Sequence, residues 1–212
     1  YYYMAQSYQT GPFSEGIVYC DSALRVPARN SYLLEKCKVL RGTLLRKDGN
    51  YRESIDYLTP LIAEVKNDSV RCEINRQLSI NYRKKNLYDS AFYFSQAAEK
   101  LAAQINNLKY QSYAIQSMAN IHSAMEEFDR ALEKEVLLVE LAEIIGKPSL
   151  ILSNMINLTA SYFDLNNPDS ALFYYEKAKV LANELNDLEN QSLLYTLYAD
   201  YMIGQGDFQA AK

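Results

Sequence analysis

One small residue recurs along the chain, as Gly16, Ser54, Ala91, Ala131, Ala171 and Ala211, at a near-constant spacing of roughly 40 residues. Self-similarity at a period of this size marks a solenoid, in which each short unit buries an apolar face against the next. Such stacks present a long surface, and they bind far more often than they catalyse. The repeat therefore constrains architecture and functional class together and leaves the ligand open.

The copies agree at several offsets. Around the later anchors stand Tyr88-Asp-Ser-Ala91-Phe92, Phe128-Asp-Arg-Ala131-Leu132, Pro168-Asp-Ser-Ala171-Leu172 and Phe208-Gln-Ala-Ala211-Lys212, with weaker versions at 51–55 and 13–17. Twelve residues before the anchor lies a mostly small residue: Gly42, Ser79, Ala119, Thr159 or Ala199. One residue earlier comes a large apolar one, Leu78, Met118, Leu158 or Tyr198, with Arg41 as the exception. Nine residues before the anchor stand Leu45, Tyr82, His122, Tyr162 and Met202. Two small positions, one on each of two helices, let the backbones approach, and the large residues around them fill the remaining space. The residue three before the anchor opens the second helix, and the Asp in its first turn suits the positive helix end.

This pattern resembles the tetratricopeptide repeat family, which carries a small residue in its first helix, a Tyr near that helix's end and an Ala in its second helix. The resemblance covers roughly the whole chain. It implies an all-α, right-handed α-α superhelix of about five and a half helix-turn-helix repeats. The chain is expected to be one solenoid domain, 1–212, with units of roughly 1–28, 29–68, 69–107, 108–147, 148–187 and a truncated 188–212. The period departs from the family's usual unit of about 34 residues. The extra residues, roughly three to six per unit, are expected between the second helix of one unit and the first helix of the next. The family's Trp and its closing Pro are absent.

Apolar periodicity and breakers predict first helices over roughly 1–9, 30–48, 69–85, 108–125, 149–165 and 188–204. Second helices are predicted over roughly 13–25, 51–67, 88–106, 128–145 and 168–186, with a sixth beginning at Phe208. Gly146 followed by Pro148 reads as a helix stop and a helix start. Pro60 falls inside the helix over 51–67 and predicts a kink or break there. The chain begins at Tyr1 rather than Met, and its sixth second helix is cut short, so it reads as a fragment of a longer protein.

Composition fits a water-soluble repeat domain without catalytic machinery. Nineteen Tyr against no Trp place amphipathic rings at helix interfaces. No apolar run reaches membrane-spanning length, so no membrane insertion is expected within this fragment. Cys20, Cys37 and Cys72 show neither CxxC nor metal spacing and read as buried thiols, favouring a reducing, cytoplasmic compartment, with a periplasmic one left open. The sole histidine, His122, stands in a slot that holds Tyr82 and Tyr162 elsewhere and reads as an interface residue. The acidic cluster around Glu126, Glu127, Asp129, Glu133 and Glu135 reads as solvated helix surface. No catalytic residue, metal site or cofactor is expected, and the chain is read as a non-enzyme.

Charge supplies the sharpest functional clue. The net charge is −4 overall, yet residues 25–86 carry 14 Lys and Arg against 7 Asp and Glu. In the resembled family the concave groove is lined by the first helices. Groove slots carried over from it recur at fixed offsets before each anchor. They place Lys36, Val39, Thr43, Arg46 and Lys47, then Glu73, Arg76, Ile80, Arg83 and Lys84, on one surface. They continue with Tyr113, Gln116, Asn120, Ser123 and Ala124, then Ser153, Ile156, Ala160, Phe163 and Asp164. The candidate partner-binding residues are therefore Lys36, Arg46, Lys47, Arg76, Arg83, Lys84, Gln116, Asn120, Ile156 and Phe163. A surface running from basic through amide-bearing to apolar suits an extended, acidic peptide or protein segment. In members of the resembled family that hold a terminal carboxylate, Lys, Asn and Arg recur at fixed slots of two adjacent units; Val39 and Thr43 occupy two of those slots, so that clamp is not expected. Reversing Arg46, Lys47, Arg83 and Lys84 to Glu is expected to abolish partner capture and leave helicity intact.

The favoured reading is a protein- or peptide-binding scaffold. The long units resemble repeat domains of bacterial transcriptional regulators of the Bacteroides type, where such a domain commonly precedes a membrane helix, a coiled coil and a DNA-binding module. One alternative is head-to-tail self-assembly into a homo-oligomer, basic half on acidic half. Another is nucleic-acid binding through 25–86, against which the acidic remainder counts.

Overall fold

A period of about 40 residues accommodates two helices of 17 residues each, as in Pro148–Asp164 and Pro168–Glu184, with a short turn after each. The computed structural model, which describes residues 1–26 and 30–205, shows this division. Its first compact unit, Tyr1–Met125, contains α1 (Tyr2–Ser7, followed by a 3-10 turn at Tyr8–Thr10), α2 (Phe13–Arg25) and α3 (Ser31–Lys47). It continues with α4 (Tyr51–Glu64), α5 (Asp68–Lys84), α6 (Tyr88–Gln104) and α7 (Leu108–Ala124). The second unit, Glu126–Lys212, contains α8 (Phe128–Ile145), α9 (Pro148–Asp164), α10 (Pro168–Glu184) and α11 (Leu188–Gly204). Among the described residues there is no strand. The helix expected from Phe208, with its anchor Ala211, lies outside the described residues. Odd-numbered helices are the first of each repeat and even-numbered helices the second.

The long period has a different origin from the expected linker. Only 105–107 separates α6 from α7, and only Gly146 and Lys147 separate α8 from α9. The extra residues lengthen the second helix itself. That helix continues because its last turns still have something to bury: Ala98 and Ala102 in α6, and Ala178 and Ala182 in α10, are fully packed. The shorter spacing between Ser54 and Ala91 follows from α4, which has 14 residues where α6 has 17.

The break expected at Pro60 does not occur. α4 runs through Pro60 to Glu64 and ends where Val65 turns extended. Proline removes the hydrogen bond to the carbonyl four residues back. Here that carbonyl belongs to Asp56, and both residues stand on the exposed face, where water can satisfy it.

The turns share one device. Asn86, Asn106, Asn166 and Asn186 have φ of 58°, 51°, 52° and 52°, with Glu126 at 60° and Gly146 at 69°. They recur at half the repeat period, one after each helix from α5 to α10. Asn and Gly tolerate this left-handed conformation, which terminates the helix. Bonds from Leu87 N to Tyr82 O and from Asn107 N to Ala102 O, both 2.9 Å, close the last turns. The next residue then caps the following helix: Asn107, Asn167 and Asp187 accept from the backbone N–H of Tyr110, Ser170 and Asn190. Glu126 is the outlier, because its long side chain gains nothing from φ of 60°. Glu126→Gly is expected to raise stability by up to about 1 kcal/mol, the left-handed strain relieved less the added chain entropy. A lowered urea midpoint would show that the Glu126 side chain contributes a compensating contact.

Packing explains the anchors. Ala91 and Ala171 are wholly buried, and Ser54 donates to the Gly42 carbonyl at 2.7 Å while accepting from Asn81 Nδ2 at 2.9 Å. At Gly42 a Cβ would collide with the Leu58 side chain, so the α3 backbone packs directly against that side chain of α4. The second unit has its own core, built from Val139, Leu152, Met155, Leu158, Tyr175 and Leu194. Beside it, Glu135 Oε2 is buried and makes no hydrogen bond among the described residues. Burial raises the Glu135 pKa, a bond with Ser161 opposes the rise, and Asp164 adds to it. An acid whose folded pKa is raised loses stability as pH climbs through that value. Glu135→Gln is therefore expected to gain a few tenths to about 1 kcal/mol over the parent at neutral pH and to match it below the carboxylate range. Urea midpoints at acidic and neutral pH check this; an equal offset at both would remove ionisation as the cause.

Candidate functional site

Residues three and four apart share one helix face. On α3 that spacing aligns Lys36, Val39, Leu40, Thr43, Arg46 and Lys47, and on α5 it aligns Val70, Glu73, Arg76 and Gln77. In the first unit these two stripes line a cleft of about 340 Å³. α1 closes it with Tyr2, Gln6 and the neighbouring Gln9, and Tyr32 of α3 and Tyr110 of α7 complete the wall. Every contributing α-helix is the first of its repeat.

Four cations meet one carboxylate in this cleft. The carboxylate, Glu73, is already engaged: Arg76 grips it through Nη2 at 2.6 Å and Nε at 2.9 Å, and Gln77 Nε2 donates to it at 2.7 Å. Burial works against the Arg76 charge, yet the Glu73 bonds outweigh it and leave the Arg76 pKa raised. Gln77, 1% exposed, passes the network on by accepting from Arg46 Nε at 2.8 Å.

The other cations lack such a partner. Among the described residues no carboxylate lies within ion-pair distance of Arg46, Lys47 or Lys36. Burial, and then the charge of Arg76, lower the Arg46 pKa. Burial, then Arg46 and Arg76, lower that of Lys47, whose ammonium donates to the Gln9 carbonyl at 2.7 Å. Lys36 lies 5.2 Å from the Tyr32 ring centre and 5.9 Å from that of Tyr2. Burial pushes the Tyr110 hydroxyl up to about 12, and Glu73 reinforces it, so the ring stays neutral. The result is a partly desolvated site with unmatched positive charge.

The structure distributes the ten candidate residues unequally. Lys36, Arg46, Lys47 and Arg76 line the cleft together. Arg83 and Lys84, further along α5, do not line it, although Arg83 adds to the field that depresses Arg46. Gln116 and Asn120 lie on α7 outside the lining, with Gln116 Nε2 at 3.4 Å from Asn120 Oδ1. Ile156 and Phe163 belong to the interior of the second unit: Ile156 joins its core cluster and Phe163 stacks on Tyr201 at 4.3 Å. Slot arithmetic did not select Gln77, Tyr2, Gln9, Tyr32 or Tyr110. Gln77 was detectable as the fourth-residue neighbour of Glu73 on the same helix face.

The remaining residues singled out by the sequence lie away from the cleft lining. His122 is buried, with its ring 4.7 Å from that of Phe92. Cys20, Cys37 and Cys72 are free thiols in the core. Among the described residues no cluster of His, Cys, Asp and Glu is placed to hold a metal, and no helix is long and apolar enough to cross a membrane.

No protein-family model matches the sequence, and no curated protein matches it. Solved structures do match in fold. BtubC (BKLC) from P. vanneervenii superposes with a TM-score of 0.78 at 17% identity, over 95% of this chain and 87% of that one. A signal-transduction ATPase with numerous domains, carrying a tetratricopeptide repeat sensor, from Pyrococcus horikoshii gives 0.76 at 16% identity, over 84% of this chain. A Rap protein complexed with competence and sporulation factor gives 0.68 at 15% identity, over 94% of this chain. The chain spans 28% of the ATPase and 56% of the Rap protein. The fold is thus an all-α helical repeat of the tetratricopeptide-like kind.

Proposed function

We propose that this chain is a protein- and peptide-binding repeat scaffold whose first unit takes an acidic, extended segment. The observation that carries this reading is the unmatched charge of Arg46, Lys47 and Lys36 in a cleft whose one carboxylate is spent on Arg76. Desolvated cations without partners are costly unless something else supplies the anion. Tyr rings and Gln side chains beside them offer stacking surfaces and amides for a ligand backbone. Selection of a displayed peptide library on the 212-residue chain should enrich Asp- and Glu-bearing segments whose binding weakens with salt. Enrichment of neutral segments, or binding indifferent to salt, would remove the acidic reading.

We further propose that the scaffold is the sensory or interaction part of a larger bacterial regulator. Support comes from the likeness to the repeat sensor of the signal-transduction ATPase and to a Rap protein complexed with a signalling factor. Sequencing the gene on both sides tests this: an adjoining DNA-binding or signalling module supports it, and a chain with no further domain ends it.

A further inference from the structure

We propose that Arg46 and Lys47 together form a receptor for one doubly charged phosphomonoester group carried by the bound segment. This rests on the reading of the cleft as a site for an anionic segment and goes on to name the group it recognises.

The bonding leaves little freedom in how Arg46 presents itself. Its Nε is held by the buried Gln77 side chain at 2.8 Å, and Gln77 is in turn held by Glu73. Arg46 makes no other hydrogen bond among the described residues, so its terminal nitrogens keep their donors. Lys47 spends one of its three N–H groups on the Gln9 carbonyl. The two residues are consecutive at the end of α3 and line the same cleft. Each is a positive charge that the protein does not neutralise.

A single carboxylate brings one charge and two acceptor oxygens. It occupies the Arg46 fork and leaves Lys47 uncompensated. Successive carboxylates of an extended segment point to opposite sides, and alternate ones share a face but stand roughly 7 Å apart, so they cannot gather their charge around one atom. A phosphomonoester carries about 1.5 to 2 negative charges at neutral pH and three acceptor oxygens around one atom. It can meet the guanidinium fork with two oxygens and the ammonium with the third. A cleft of about 340 Å³ admits one such side chain rather than a folded partner. The depressed pKa values of Arg46 and Lys47 agree with a missing dianion, since each cation is penalised by burial and by its cationic neighbours.

The test uses end-capped alanine heptapeptides with a central phosphoserine, glutamate or serine, and a capped peptide of three alternating glutamates, titrated calorimetrically into the 212-residue chain. The phosphoserine peptide is expected to bind at least about tenfold tighter than the single-glutamate peptide at an ionic strength of about 0.15 M. Arg46→Lys, which keeps the charge and loses the fork, should erase about tenfold of that affinity, with helicity verified by circular dichroism. Arg83→Lys should change it by less than about twofold. Equal binding of the phosphoserine and glutamate peptides would overturn the phosphomonoester receptor and leave the acidic-segment reading standing. Failure of the phosphoserine and the triple-glutamate peptides alike would overturn both.

Discussion

Replacing Leu78 by alanine is expected to destabilise the first unit by about 3 kcal/mol, read from the urea midpoint of helix content. Leu78 is completely buried among Leu58, Ile74 and Val70. It stands next to the small residue of its repeat, Ser79, whose hydroxyl lies 2.6 Å from that of Ser95. Close approach of α5 and α6 at that point holds both backbones, so the site cannot collapse around the missing methyls, and both transfer and cavity terms apply. Leu158→Ala at the same offset in the second unit, also wholly buried, should cost a similar amount. Leu87, 48% exposed in a turn, supplies the control, and its alanine variant should shift stability by less than about 0.5 kcal/mol. The pair also tests the proposal that 1–212 behaves as one domain. A single transition displaced by either core substitution supports it; separate transitions, each moved by only one of them, refute it.

Why Leu78 and Leu158 were visible in the sequence also explains what was not. The positions that repeat most faithfully are those where one helix meets the next, because a stacked unit must reproduce its own contact surface. Anchor and small-residue spacing therefore reported the helix pairs, their order and their boundaries to within a few residues. The turns carried an equally regular signal, Asn86, Asn106, Glu126, Gly146, Asn166 and Asn186, evenly spaced at half the repeat period. That signal shows that both helices of a repeat have nearly the same length and that short turns join them, which leaves no room for a linker. Reading the long period as a shorter unit with a linker missed it. The break expected at Pro60 is absent because a proline's cost depends on whether the carbonyl it frees faces water, which is a property of the neighbouring helices.

The cleft was partly legible for the same reason. Lys36, Arg46, Lys47 and Arg76 sit on first helices at fixed offsets, and the repeat brings such offsets to one face. Which of the charges are already matched was not legible. The Arg76–Glu73–Gln77–Arg46 chain depends on side-chain geometry, and it separates a structural cation, Arg76, from an available one, Arg46. The slots at Ile156 and Phe163 failed to mark an open floor because an apolar residue there attracts cover: Tyr201 stacks on Phe163. The contribution of α1 was hidden because its repeat is the weakest copy.

The sharpest expected change in binding follows from that separation. The four cations grouped by sequence, Arg46, Lys47, Arg83 and Lys84, divide into a pair that lines the cleft and a pair that does not. Arg46→Glu with Lys47→Glu removes two charge-assisted contacts of about 1.5–3 kcal/mol each and substitutes repulsion. Affinity for an acidic peptide should fall at least about a hundredfold. Arg83→Glu with Lys84→Glu changes the net charge by the same amount but acts only through the screened field, so it should cost less than about fivefold and mostly at low salt. Because Arg46→Glu sets a carboxylate against Gln77 Oε1 and near Glu73, Arg46→Gln with Lys47→Gln provides a gentler variant, expected to lose about tenfold. Calorimetric titration of all three with one acidic peptide, alongside circular dichroism, separates the possibilities. Equal losses from the two charge-reversed pairs would mean that the chain responds to overall charge and that the cleft is only a solvated basic face.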